Sequence, residues 1–165
     1  MHKVLLSLGS NLGQRMGYLR AAQKALAARI AIREMSTIYE TEPLYLAAQP
    51  AFLNAVLHGL TELSPSDLLS FIKQNERDLG RTTSVRFGPR VIDIDIIDYD
   101  GQQLQDPDLI IPHPRIHERA FVLRPLADIA PHWKHPRSGH TALQMLHSLP
   151  EKHRLRPYTE ITKTP

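Results

Sequence analysis

The sequence VIDIDIIDY at Val91–Tyr99 carries the clearest strand pattern of this chain. Because side chains alternate between the two faces of a strand, Asp93 and Asp95 are expected to share one face, with Cα atoms roughly 6.5 Å apart. Aspartate is depleted in strands, and two neighbouring carboxylates in a partly dry setting repel each other. Either a Mg²⁺ site shared with substrate phosphates or a structural pairing of each aspartate with a cross-strand arginine relieves that repulsion, and the spacing alone leaves both open.

The loop before this strand is rich in arginine, with Arg81, Arg86 and Arg90 inside the segment 81–90. Arginine presents a planar fork of donors that matches phosphate oxygens. Beside paired carboxylates, such a loop suits phosphoryl transfer, because its cations neutralise charge and the loop excludes water. A solvated basic surface is the alternative interpretation of these arginines.

Hydrophobic periodicity and turn signals place further elements on either side of this strand. A serine N-cap at Ser64, a proline at the next position and Gly80 bound a helix that ends at Leu79. We expect Phe121–Ala130 to begin as a strand and to end as a helix. The other predicted elements are a strand at Lys3–Gly9, a helix at Tyr18–Ala28, extended structure at Ile30–Tyr39, strands at Phe52–Leu63 and Gln102–Leu104, and a helix at Thr141–Leu149.

This order of elements, β-α-β-β-α-β with a helical end, predicts one α+β domain over residues 1–150. The expected architecture is a ferredoxin-like α/β sandwich, in which two helices pack on one face of a mostly antiparallel sheet. The polar residues 151–165 lack an apolar period and are expected to form a loosely held C-terminal tail.

Composition narrows the class of protein. The chain has 165 residues, no cysteine and a net charge of +3, so disulfides, thiolate metal sites and cysteine nucleophiles are excluded. No apolar run approaches the ~20 residues that span a bilayer, and the start of the chain does not resemble a secretory signal. A cytoplasmic location without a membrane partner is therefore expected. The Walker A and GxGxxG motifs do not occur, which argues against P-loop and Rossmann enzymes.

A few further positions are candidate binding residues. His113 lies between two prolines that fix its backbone, although a surface histidine in a rigid turn is the alternative. Asn54 lies on a predicted central strand, where a buried amide needs partners at both ends, either structural ones or a heterocycle. Phe52, Phe87 and Phe121 are candidates to stack on a planar ring, although each alone is typical of a core.

Six motifs that occur in one order resemble the 6-hydroxymethyl-7,8-dihydropterin pyrophosphokinase family. The resemblance covers about Lys3–Leu149, and the last two motifs are long and highly specific. The motifs are LGSNLG at 8–13, YETEP at 39–43, FLNA at 52–55, ERDLGR at 76–81, FGPRVIDID at 87–95 and IPHPRIHERAFV at 111–122.

The resemblance implies a transfer of the β,γ-diphosphate of ATP to the hydroxymethyl group of a reduced pterin, a step of folate synthesis. It implies that Asp93 and Asp95 hold two Mg²⁺ ions and act with Arg81 and Arg90 in catalysis. The implied pterin pocket consists of Thr41, Pro43, Leu44, Phe52, Asn54 and Phe121. The implied ATP contacts are Lys73, Glu76, Arg86, Phe87, Arg90, Ile96, His113 and Arg119.

The chain departs from some members of this family at several positions. Tyr45 occupies a place often held by glycine, Lys73 one held by glutamine, and Pro114 one held by an aromatic residue. Phe87 stands where some members carry tryptophan, and Arg86 is the candidate for a second loop arginine.

Two classes of non-enzyme are the alternatives, an RNA-binding module and a ligand-sensing module on a ferredoxin-like sheet. Only 6% of the residues are aromatic and no basic-aromatic ribonucleoprotein motif occurs, which argues against RNA binding. A sensor gains little from two repelling carboxylates. We therefore expect ATP and the hydroxymethyl dihydropterin as small-molecule partners, no nucleic acid, and a monomer.

Overall fold

The structure is a computed structural model that describes residues 1–45, 47–82, 88–150 and 155–159. Two of the implied ATP contacts, Arg86 and Phe87, lie outside the described residues. Residues 151–154 and 160–165 of the predicted tail lie outside them as well. Within the described ranges, no helix is long and apolar enough to cross a bilayer.

A six-stranded antiparallel sheet forms the centre of the part of the chain that the structure describes. Its middle strand β1 (His2–Ser10) lies between β4 (Phe52–Thr61) and β5 (Asp93–Tyr99). The other side of β4 pairs with β2 (Ile30–Met35) and with β3 (Tyr39–Thr41). The predicted extended segment 30–39 is therefore two strands, both of which pair with β4.

Two helices cover one face of this sheet, as predicted. The second of them, α2 (Pro65–Asp78), follows α1 (Arg15–Leu26) and begins at the expected N-cap, because the Ser64 hydroxyl accepts a hydrogen bond from the Asp67 N–H at 3.2 Å. Gly80 follows α2 with a φ of 93°, a conformation that favours glycine. The core of this layer includes Val4, Leu6, Leu8, Leu19, Leu26, Leu53, Leu57, Leu68, Ile72, Ile94 and Ile96.

The opposite face of the sheet carries two further helices, α3 (Ala120–Ile129) and α4 (Ala142–His147). The α+β class with a mostly antiparallel sheet is confirmed, and these helices form a second layer in addition to the two predicted helices. Leu5 and Val56 point to this second face and are fully buried, so the sheet has apolar positions on both sides that need cover. The second core also contains Ile97, Ile116, Val122, Leu123, Leu126, Ala142 and Met145.

The prediction that Phe121–Ala130 begins as a strand is wrong, since α3 already starts at Ala120. The β-branched and aromatic residues at the start of this segment favour a strand locally. Val122 and Leu126 are spaced by one helical turn, however, and both are buried in the second core. Tertiary packing of that apolar face therefore outweighs the local preference.

Three smaller expectations also differ from the structure. β5 begins at Asp93, two residues later than predicted. The strand predicted at Gln102–Leu104 is the shorter β6 (Leu104–Gln105), which pairs with β7 (Ile110–Ile111) in a separate ribbon. The tail is not loosely held throughout, since β8 (Arg156–Pro157) pairs with β3 at the edge of the main sheet.

Candidate active site

A cleft of about 640 Å³ that is open to solvent lies on the second face of the sheet, beside α3. The central strands and the segments around them contribute Ser7, Gly9, Thr41, Glu42, Leu44, Tyr45, Gln49, Phe52, Asn54, Gly88, Arg90, Asp93, Asp95, Arg119 and Phe121 to its lining.

Strand register explains why the polar residues of the cleft meet. Gly9 of β1 is paired with Asn54 of β4 on one side and with Asp93 of β5 on the other. A Cβ at position 9 would come within 3.0 Å of the Asn54 Oδ1, which is tighter than an ordinary contact. Glycine therefore leaves room between the amide and the carboxylate. Ser7, two residues earlier and on the same face, lies opposite Asp95.

The two aspartates face the same cleft, as the strand pattern predicts, and arginines surround them. Asp93 accepts hydrogen bonds on both oxygens, from the Arg81 Nη1 at 2.7 Å and from the Arg90 Nη1 at 2.8 Å. The Arg119 Nη1 lies 3.7 Å from the Asp95 Oδ2. Arginine pairing is thus present, but not from neighbouring strands. Arg81 and Arg90 belong to the loop before β5, and Arg119 follows the 3₁₀ turn Ile116–Glu118. The cleft stays open.

The electrostatics of the pair reflect that crowding. Burial, followed by the charge of Asp93, raises the pKa of Asp95 to about 6. The side chain of Asp95 is nevertheless 39% exposed, toward the cleft that it lines. The negative charge of Asp95 is therefore disfavoured by its surroundings, and a cation that enters the cleft would stabilise it.

The donor set fits a magnesium ion that also binds substrate phosphates. Each oxygen of Asp93 has a second lone pair beyond its arginine bond, and Asp95 faces the cleft. Within the described ranges there is no group of three or more His, Cys, Asp or Glu side chains that would hold a metal by themselves. Mg²⁺ is usually held by one or two carboxylates plus phosphates, so two aspartates are the ligands expected for such a site.

Glu76 connects the arginine loop to the aspartate strand from below the cleft. This carboxylate is only 2% exposed. Its Oε1 accepts hydrogen bonds from the Arg81 Nη1 and from the backbone N–H of Ile94, the latter at 2.7 Å, and its Oε2 accepts one from the Lys73 Nζ at 3.0 Å. A signal for this burial was present in the sequence, because Glu76 continues the four-residue spacing of the buried Leu68 and Ile72 along α2.

Five residues of the implied pterin pocket also line the cleft, namely Thr41, Leu44, Phe52, Asn54 and Phe121. Asn54 is 3% exposed, and its Nδ2 donates a hydrogen bond to the Thr41 Oγ1 at 2.7 Å. The Asn54–Thr41 bond fixes the orientation of the amide. Its NH₂ group bonds within the fold, and its carbonyl oxygen lies at the cleft.

His113 lies close to this site and is held as a neutral imidazole. Its Nδ1 accepts a hydrogen bond from the Arg115 N–H at 3.0 Å, which places the ring proton on Nε2. Burial, and next the charge of Arg119, lower the pKa of His113 to about 4. The imidazole therefore offers one N–H donor at neutral pH without carrying a charge.

Other implied residues do not line the cleft. Pro43 and Lys73 are not among its lining residues, and Ile96 packs into the first core on the opposite face of β5. A nucleotide contact from Ile96 would have to come from its main chain, at the edge of the sheet. The roles that the resemblance assigns to individual residues stay predictions.

Tyr45 lines the cleft, although sequence reasoning noted it only as a departure from relatives. Its hydroxyl donates to the Glu118 Oε1 at 3.1 Å. The guanidinium carbon of Arg115 lies 4.3 Å from its ring centroid. No local signal in the sequence brings these residues together, because Tyr45 and Glu118 are 73 positions apart.

Comparison with known proteins shows which family the chain is similar to. The sequence profile of the 7,8-dihydro-6-hydroxymethylpterin-pyrophosphokinase (HPPK) family matches residues 5–131. The 2-amino-4-hydroxy-6-hydroxymethyldihydropteridine pyrophosphokinase of Bacillus subtilis is 44% identical over 126 residues, which cover 75% of each chain. The enzyme of the same name from Methylorubrum extorquens is 46% identical over 133 residues, which cover 79% of this chain and 84% of that protein.

Some relatives are much longer. A mitochondrial folate synthesis bifunctional protein of Arabidopsis thaliana is 45% identical over 78% of this chain, but the match spans only 23% of that protein. The first curated relatives that the chain matches are all of this kind, and the chain spans about a fifth of their length. A solved structure of an HPPK-DHPS in complex with substrates superposes on 89% of this chain with a TM-score of 0.73 and 16% identity, which supports the fold.

Proposed function

The chain belongs to the 7,8-dihydro-6-hydroxymethylpterin-pyrophosphokinase family, and we propose that it transfers the β,γ-diphosphate of ATP to 6-hydroxymethyl-7,8-dihydropterin and releases AMP, a step of folate synthesis. One observation carries this proposal: Asp93 and Asp95 face an open cleft that is also lined by arginines, by the buried Asn54 and by two phenylalanines. Phosphates and a flat heterocycle are the two kinds of group that such a cleft suits.

The pterin end is built to hold a planar, polar ring. The amide of Asn54 is oriented by Thr41 and is available to pair with the hydrogen-bonding edge of a heterocycle. Phe52 and Phe121 also line the cleft and supply aromatic faces for stacking. The positions of Leu44 and Pro43 in the adjoining loop add apolar surface.

The phosphate end is built to hold a triphosphate. Arg81 and Arg90 already converge on Asp93, and Arg119 approaches Asp95. When a nucleotide enters, these forks of donors are free to exchange part of their carboxylate contacts for phosphate oxygens. Neutral His113 adds an N–H donor, and we expect Lys73, Glu76, Arg86, Phe87 and Ile96 to complete the ATP site as the resemblance implies.

Asp93 and Asp95 would hold the magnesium, two ions by resemblance, and when bound it supplies charge neutralisation on the phosphate oxygens. The side chains of the cleft do the rest by positioning. Asn54 and the phenylalanines hold the pterin so that its hydroxymethyl oxygen faces the β-phosphorus. Arg81, Arg90 and Arg119 hold the chain of phosphates and neutralise its charge.

In the transfer, the hydroxymethyl oxygen forms a bond to the β-phosphorus. The bond between that phosphorus and the oxygen that bridges to the α-phosphate breaks, and its electron pair leaves with AMP. The hydroxyl proton passes to solvent water in the same reaction. No side chain of the cleft is assigned as the general base, so catalysis is attributed to positioning and electrostatics.

Product analysis tests this proposal directly. Incubation of the purified protein with ATP, Mg²⁺ and 6-hydroxymethyl-7,8-dihydropterin is expected to yield AMP and the pterin diphosphate in equal amounts. Formation of ADP, or nucleotide turnover that does not require the pterin, would rule the proposal out. Salt-sensitive RNA binding without turnover would favour the RNA-binding alternative instead. We expect the protein to act in the cytoplasm as a monomer.

A further inference from the structure

The loop between β3 and β4 is fastened to the far side of the cleft by Tyr45. Its hydroxyl donates to the Glu118 Oε1 at 3.1 Å and lies 3.4 Å from the Arg119 Nε, which donates to it. Its ring lies against two cations, with the guanidinium carbons of Arg115 and Arg119 at 4.3 and 5.8 Å from the ring centroid. Tyr45 therefore acts as a hydrogen-bonding and cation–π anchor for Arg119.

The same Arg119 also occupies a position that a substrate needs. Its guanidinium carbon lies over the ring of Phe121, 5.6 Å from the centroid. Phe121 is the ring proposed to stack on the pterin. A cation above an aromatic face and a heterocycle stacked on that face compete for the same surface. Arg119 therefore partly covers the face of Phe121 that is proposed to stack on the pterin.

We infer that Tyr45 is a positioning residue that holds Arg119 over Phe121 until a triphosphate draws the guanidinium away. This inference rests on the proposed function, since it assumes that phosphates and a pterin bind in this cleft. Arg119 already lies 3.7 Å from Asp95, at the phosphate end, so the movement required is small. Charge-assisted hydrogen bonds to phosphate are stronger than a cation–π contact, and they favour the displaced position.

As a consequence, the affinities for the nucleotide and for the pterin are coupled through the side chain of Arg119. Nucleotide binding uncovers Phe121 and strengthens pterin binding, and by linkage the pterin strengthens nucleotide binding by the same factor. Removing Tyr45 weakens the hold on Arg119, so the pterin is expected to bind more tightly to the nucleotide-free protein. A merely structural defect in the loop would have the opposite effect, because it would weaken pterin binding.

The chain offers a matched control outside the cleft. The Tyr39 hydroxyl donates to the Asp128 Oδ2 at 2.8 Å and accepts from the Arg124 Nε at 3.1 Å. The Arg124 guanidinium carbon lies 5.7 Å from the Tyr39 ring centroid. Tyrosine, arginine and carboxylate are thus arranged as they are around Tyr45, but none of the three residues lines the cleft.

The experiment measures pterin affinity by calorimetry with and without a nonhydrolysable ATP analogue and Mg²⁺. The wild type is expected to bind the pterin more tightly with the analogue, by a factor in the range of about 5 to 150 that is typical of coupled sites. In Tyr45→Ala, pterin affinity without nucleotide is expected to rise about fivefold, and the coupling factor to fall by the same amount. Tyr45→Phe, which keeps the ring, is expected to change both in the same direction but less. Tyr39→Phe is expected to keep the wild-type coupling factor.

The outcomes separate this inference from the proposed function. If the wild type binds both ligands but the coupling factor is unchanged in Tyr45→Ala and Tyr45→Phe, the role of Tyr45 is wrong while the proposed function stands. An equal loss of coupling in Tyr39→Phe, or weaker pterin binding in the nucleotide-free Tyr45 variants, overturns the inference too. If the wild type binds neither ligand, the proposed function fails first. Tyr45→Phe keeps the test decisive if Tyr45→Ala does not fold.

Discussion

Glu76 and Asp93 accept hydrogen bonds from the same nitrogen of Arg81. One carboxylate is buried at the end of α2 and the other lines the cleft at the start of β5, so a single guanidinium joins the helix layer to the reactive edge of the sheet. Glu76 also accepts from the backbone N–H of Ile94, between the two aspartates. The position of the aspartates thus depends on a residue that does not line the cleft.

Glu76→Ala is expected to destabilise the protein by about 3 kcal/mol, because it leaves the Ile94 N–H unpaired and removes the buried partner of two cations. The free energy of unfolding in urea measures this loss. Asp78→Ala is the matched control on the same helix, since Asp78 is exposed and bonds only to the Gln74 side chain among the described residues. The control is expected to stay within about 0.5 kcal/mol of the wild type. Equal losses in both variants would show that Glu76 is not an anchor.

Asp95→Ala is expected to lose nearly all turnover while the protein stays folded. The carboxylate is proposed to hold magnesium together with Asp93, and its removal takes away one of the two proposed metal ligands and weakens charge neutralisation on the phosphates. The rate of AMP formation and the thermal unfolding midpoint are measured together. A variant with a near-wild-type rate would remove Asp95 from the mechanism.

The stability of the metal-free protein is expected to depend on the charge of Asp95. Its pKa is raised from 3.8 to about 6, so the folded state binds this proton more tightly than the unfolded state does. The associated stability is fully present below pH 3.8 and is lost as the pH rises through about 6. Because the side chain is 39% exposed, we expect a loss of only about 1–2 kcal/mol after allowance for solvent screening.

Asp95→Asn carries no such charge and provides the comparison. At pH 8 without metal it is expected to be more stable than the wild type, by that same amount, and the difference should vanish below about pH 4. Urea unfolding at a series of pH values with a chelator present measures both curves. Parallel curves for the two proteins would mean that Asp95 is not strained by its surroundings.

Local signals in the sequence predicted much of this arrangement. The two-residue alternation of Asp93 and Asp95 was enough to place both on one face, and the cap at Ser64 was enough to start α2. Each of these features depends on a few consecutive residues. The second helical layer was missed because α3 is stabilised by packing against Leu5 and Val56, which are distant in sequence.

The details of the site were harder to predict for the same reason. Asp93 has two arginine partners, and neither comes from a neighbouring strand as the pairing rule for sheets would suggest. The contact of Tyr45 with Glu118 joins a loop and a 3₁₀ turn that share no local pattern. Such contacts form only after the sheet has brought β3, β4 and β5 together, so no short stretch of the sequence contains both partners of a contact.

The C-terminal segment provides the last prediction. Tyr158 packs against the first core, its backbone N–H donates to the Ile38 carbonyl at 2.8 Å, and the Arg15 guanidinium carbon lies 5.9 Å from its ring centroid. A chain that ends at Pro150 is therefore expected to be less stable than a chain that ends at Thr159, by about 1–3 kcal/mol, because it loses the partly buried aromatic ring and the pairing of β8. Urea unfolding of the two truncated proteins measures the difference. Tyr158→Ala in the full chain should reproduce most of the loss, whereas equal stability of both truncated proteins would mean that β8 contributes nothing to the fold.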